Sequence, residues 1–105
     1  MARNPHPGAI LSGQLSSLGV KPTELARQLG VPPNRISQII HGKRAITGDT
    51  ALRLAHWFGN DAAYWMSLQA EFEVQEAERQ AGKEISKLPT CATSKQSKHA
   101  APGAG

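Results

Sequence analysis

The sequence predicts an all-α domain of five helices followed by a disordered tail. Three observations carry this. Gly19, Gly30, Gly42, Gly59 and Gly82 each follow a segment that reads as a helix, where a left-handed residue suits the C-terminus. No segment sustains a period-two alternation, so no sheet is expected. From Gly82 the pattern stops, and "KLPTCATSKQSKHAAPGAG" is polar, lysine-bearing and closed by Pro and Gly.

The first helix is expected from about Pro7 to Ser17, with Ile10, Leu11 and Leu15 at helical spacing. The second is expected from Pro22 to Leu29. Pro22 suits a first helical position, where its missing N–H would be unpaired anyway, and Leu25, Ala26 and Leu29 form the apolar side. By the same argument the third starts at Pro33 and ends near His41. The fourth spans Gly48 to Phe58, with Thr47 as N-cap, Asp49 in the positive first turn, and Ala51, Leu52, Leu54, Ala55 and Phe58 as its buried stripe. The fifth begins after Asp61 and runs to about Gln80, with Trp65, Leu68 and Phe72 spaced by three and four.

The second and third helices and the link "GVP" form a compact unit over about residues 22–41. Gly30 makes the turn, Val31 plugs the angle, and Pro32 disfavours a helical Val31. This is a helix-turn-helix layout. On a wheel of about 100° per residue, Ile36, Ile39 and Ile40 share one arc. Asn34, Gln38 and His41 lie opposite, flanked by Arg35 and Ser37. Asn and Gln can pair bidentately with adenine in a major groove, and Arg with guanine, so Asn34, Arg35, Ser37 and Gln38 are the expected base-reading residues. Lys43 and Arg44 follow Gly42 and suit phosphate contacts, joined by Lys21, by Thr23 at the second helix's N-terminus, and by His41. Asn34 or Gln38 alone would read as a solvated side chain. The Pro-started helix, glycine turn, isoleucine triplet and trailing Lys-Arg pair together favour DNA.

Charge agrees. The 105 residues carry a net +4. Residues 1–60 set seven Lys/Arg against Glu24 and Asp49, a net +5, which suggests a polyanionic partner. Residues 61–81 are acidic at −4, which suggests a different, basic partner, and residues 82–105 return to +3. The expected division is a helix-turn-helix domain over 1–81 and a basic disordered tail over 82–105.

Other functions find little support. His6, His41, His56 and His99 have no ligand spacing, so no metal site is expected. No serine has a strand–turn–helix context and no glycine-rich phosphate loop exists, so neither an enzyme nor a cofactor is expected. A lone Cys91 excludes an internal disulfide, no apolar run is long enough for a bilayer, and "MARNPHPGAIL" is not read as a secretory signal. A cytoplasmic, nucleoid-associated protein with no membrane partner is expected.

The stretches "HPGAIL", "LARQLGVPPNRISQIIHGKRAIT", "DTALRLAHWFG" and "AAYWMSLQAEFEV" resemble the HigA family of antitoxins, over about residues 5–75. The resemblance implies a lambda-repressor-like helix-turn-helix fold of the XRE type. It further implies a homodimer that represses its own operon by binding operator DNA and that sequesters a RelE-like ribonuclease toxin. It places the recognition helix at Pro33 to Ile40 but gives no operator sequence. The implied basic toxin would suit Glu71, Glu73, Glu76 and Glu78. The rival use of the fifth helix is a dimer seam including Phe72, with Trp65 and Leu68 kept for the domain's own core. Phe72, Glu71, Glu73 and Glu76 are therefore the candidate dimer or toxin contacts. A stand-alone regulator without a toxin, and an interaction module that no longer binds DNA, are the alternative readings.

Overall fold

The computed structural model describes residues 5–91. Five helices follow in order: α1 (Pro7–Leu18), α2 (Pro22–Leu29), α3 (Arg35–Ile40), α4 (Gly48–Phe58) and α5 (Ala62–Ser86). There is no strand among the described residues. The number of helices and their order match the expectation, and α2 and α4 match it residue for residue.

One core holds them. Leu11 and Leu15 of α1, Leu25, Ala26 and Leu29 of α2, Ile36 and Ile39 of α3, Ala51, Leu54 and Ala55 of α4, and Trp65 of α5 are buried together, with Ile46 from the α3–α4 loop. Helix α5 packs chiefly on α4 and also meets α1, while α3 is wedged between α1 and α2. The α1–α3 approach is close enough to exclude a side chain. A Cβ on Gly8 would stand 2.0 Å from the Ile39 carbonyl oxygen. The indole of Trp65 is wholly buried, and its N–H donates to Asn60 Oδ1 at 2.9 Å, so the burial leaves no unpaired donor.

Two elements differ from expectation. Helix α3 starts two residues late. Arg35 N donates to Pro32 O at 2.9 Å, which closes a turn over Pro33 and Asn34 ahead of the first α-helical bond, Gln38 N to Asn34 O at 3.0 Å. Asn34 is thus the N-cap residue, at φ −92° and ψ 0°. Helix α5 passes through Gly82 to Ser86 rather than stopping at Gln80. A glycine ends a helix only where the chain turns. Within a run of good helix formers it costs only about 1 kcal/mol relative to alanine. Of the expected tail, residues 92–105 lie outside the described residues. The stripe of α4 also needs one correction, since Leu52 is 65 % exposed. It lies beside His56 and Asp49, on the side of α4 that α5 does not cover.

Candidate nucleic-acid interface

Helix α3 is anchored by its isoleucines. Ile36 and Ile39 are fully buried and Ile40 is partly so, packed against the core. Gly30, at φ 75°, turns the chain out of α2, and its N–H donates to Arg27 O at 3.2 Å. Val31 packs on the core as expected. Arg53 of α4 adds a fastening that the sequence did not announce. Its Nη1 donates to Leu29 O, the last carbonyl of α2, at 2.8 Å, and its Nε to Asp49 Oδ2 at 2.9 Å. Trp57 of α4 likewise donates to Gln28 Oε1 at 2.7 Å. The turn is therefore braced from α4 as well as from within.

On the opposite side of α3 the expected polar residues come together. Asn34 is exposed, and Arg35, Ser37 and Gln38 are half-buried. His41 is exposed, with Nδ1 2.8 Å from Ser37 O on its own helix. Gln38 is not idle, for its Oε1 accepts from Arg44 Nε at 3.0 Å. One base-reading candidate and one phosphate candidate are thus already joined across the turn. Gly42 permits that geometry at φ 75°, and both Lys43 and Arg44 are exposed beyond it. Lys21 and Thr23, at the start of α2, are exposed too. A side chain on Gly42 would come within 3.7 Å of the His6 ring, so the N-terminal segment flanks this loop. His6 caps α1, accepting from Gly8 N at Nδ1 (2.8 Å), and its ring stands edge-on to Phe72 of α5 at 4.7 Å. Partial burial lowers its pKa from the ordinary 6.5.

The chain matches the Helix-turn-helix family over residues 16–65. It is 43 % identical to virulence-associated protein I of Dichelobacter nodosus over 75 residues, 70 % of this chain and 69 % of that one. Among solved structures it is similar to an addiction module antidote protein of the HigA family from Coxiella burnetii. That likeness has 41 % identity and a TM-score of 0.83, covering 86 % of this chain and 99 % of the other. The chain belongs to the HigA family of helix-turn-helix antitoxins. A second HigA, from Pseudomonas aeruginosa and solved with the higBA promoter, has 35 % identity and a TM-score of 0.79 over 83 % of this chain and 97 % of that one. The family is one of DNA-binding regulators rather than enzymes.

In this HigA-family chain, α5 sorts its residues onto two faces. Trp65, Leu68, Gln69 and Phe72 turn inward, and Phe72 is half-buried with its ring against His6. Glu76 is half-buried beside Arg79 at 2.6 Å, Glu73 accepts from Gln69, and Glu71 is exposed. The outer face carries residues the sequence reading missed. Met66, Ala70, Val74, Ala77, Ala81 and Ile85 recur every three or four positions, and Val74 is 63 % exposed. Glu71 and Gln75 join Ala70 and Val74 around a shallow depression there. The signal was available in the spacing, but it was overshadowed by the stronger aromatic stripe. No group of acidic, His or Cys residues that could hold a metal occurs among the described residues. No helix of the described residues is long and apolar enough to cross a membrane.

Proposed function

We propose that this chain is an antitoxin that binds the operator of its own operon as a homodimer, represses transcription, and neutralises a RelE-like ribonuclease toxin. The observation that carries the DNA part is the α3 geometry: isoleucines locked inward, with Asn34, Ser37 and His41 facing outward beside Lys43 and Arg44. Asn34, Arg35, Ser37 and Gln38 read base edges. Lys21, Thr23, His41, Lys43 and Arg44 meet phosphates and fix register without reading sequence. The similarity to an antitoxin solved with its promoter supports the same reading. A protein that acts on operator DNA works in the cytoplasm, at the nucleoid.

The outer stripe of α5 supports the dimer. A row of mostly exposed apolar side chains along roughly 28 Å of helix, from Met66 to Ile85, is a costly surface to leave in water and suits a second copy across a two-fold axis. The net acidic charge of α5 around Glu71, Glu73 and Glu76 suits a basic toxin.

Co-expression with the product of the adjacent gene, followed by purification and a mobility-shift assay on the operon promoter, tests the proposal. The expected outcome is a stable complex with a small basic protein and a shifted promoter fragment. A shifted promoter without a bound partner would instead favour the stand-alone regulator.

A further inference from the structure

Gln69 is one of two buried polar side chains among the described residues, 6 % exposed in the middle of α5. Its Oε1 accepts the Ile46 N–H at 2.9 Å, and its Nε2 donates to Glu73 Oε2 at 2.9 Å. A backbone N–H can only donate and a carboxylate only accept, so the two partners fix the amide in one orientation. Ile46 closes the segment that begins at Gly42, and its own side chain is buried. Lys43, Arg44 and Ala45 lie between, all exposed. The start of the segment is tied to α3, through Gly42 N to Ile39 O (3.1 Å) and Lys43 N to Gln38 O (2.8 Å). Its far end is tied to α5.

We propose that Gln69, oriented by Glu73, is a positioning residue for DNA binding, anchoring the far end of the basic loop so that Lys43 and Arg44 keep a fixed placement beside α3. This rests on the reading of those two cations as phosphate contacts. An unanchored loop must be ordered at each binding event, and that ordering subtracts from affinity. The buried Ile46 N–H would also be left without its acceptor.

The experiment measures promoter affinity at several salt concentrations for the full chain and four variants. Gln69→Leu removes the acceptor. Gln69→Glu keeps an acceptor for Ile46 but sets a second carboxylate against Glu73. The double variant Gln69→Glu/Glu73→Gln restores both hydrogen bonds with the donor on the other side. Lys43→Ala/Arg44→Ala tests the underlying reading. We expect Gln69→Leu to lose on the order of tenfold in affinity at low salt and to flatten the slope of log K against log salt by about 1 to 2, as lost phosphate contacts do. Gln69→Glu weakens binding similarly, and the double variant regains most of it. If Gln69→Leu lowers thermal stability yet binds with unchanged slope, or if the double variant stays as weak as Gln69→Glu, the positioning role is overturned. A flattened slope in Lys43→Ala/Arg44→Ala alone would leave the phosphate reading standing without this inference. An unchanged slope in that variant removes both.

Discussion

Gln38 and Arg44 share a hydrogen bond, and this alters what each can do at a duplex. A glutamine that reads adenine uses its oxygen and its nitrogen together, and because Oε1 has two lone pairs, Arg44 would hold the Gln38 amide in place while the base engages it. Mutating either residue therefore changes the other. Gln38→Ala and Arg44→Ala, singly and combined, are expected to show a coupling of about 0.5–3 kcal/mol in operator binding by double-mutant cycle. Strict additivity would mean that the bond does not persist in solution. Asn34→Ala is expected to cost about 1–3 kcal/mol on the operator and little on random DNA, whereas Lys43→Ala weakens both alike. His6 supplies a separate residue-scale test. Its Nδ1 accepts from Gly8 N, so protonation removes the α1 cap, and partial burial lowers the imidazole's pKa from 6.5. The folded state then binds this proton less readily than the unfolded state. The stability it contributes is complete above about 6.5 and lost as pH falls through the lower folded value. Denaturant midpoints should drop on acidification below about 6.5, and His6→Asn, which can still cap, should flatten that dependence. The neighbouring window belongs to Glu24, held down to about 2 by hydrogen bonds from Arg27 and then Gln28, so its contribution fades only at lower pH.

At the level of elements, α3 is a short helix whose position is dictated by its neighbours. Gly8 lets α1 lie directly on the Ile39 carbonyl, and Gly8→Ala forces the two apart. The expected cost is about 1–3 kcal/mol or more in unfolding free energy, despite alanine's better helix propensity, since the clash is with backbone. Chemical denaturation reads this directly, and a neutral outcome would show that α1 and α3 slide without penalty. Much of this level was legible in the sequence. Proline starts and glycine stops marked α2, and Thr47 and Gly59 bounded α4, because those residues act locally. The start of α3 and the end of α5 were not legible for the opposite reason. A Pro32 carbonyl captured by Arg35, and a Gly82 carried along by surrounding helix formers, depend on competition between neighbours rather than on one residue's preference. The ties from Arg53 to Leu29 and from Gln69 to Ile46 span 24 and 23 residues. No local pattern announces such contacts. A lone Gln inside an aromatic stripe was the only hint of the second.

Across the whole molecule, charge and apolar surface are segregated. The cations beside α3 belong to a segment of net +5, and α5 presents acidic side chains around an exposed apolar row. A dimer formed through that row would present two α3 helices to half-sites roughly 34–36 Å apart on one face of a duplex. Val74→Glu places a charge in the middle of the row. It should convert a dimer to a monomer in sedimentation or light scattering and weaken operator binding, while leaving helical content unchanged. A Val74→Glu protein that remains dimeric would move the seam elsewhere.

On the proposed function, the α3 face reads a duplex while Lys43 and Arg44 hold its backbone. The most direct measurement is the affinity of the chain for its own promoter fragment and for a scrambled duplex of equal length, titrated with salt. Tighter promoter binding, with a log–log salt slope of about −0.9 for each phosphate contacted, is the predicted result, and Asn34→Ala should shrink the preference without changing the slope. Equal affinity for both duplexes, or no salt-dependent binding to either, would contradict it.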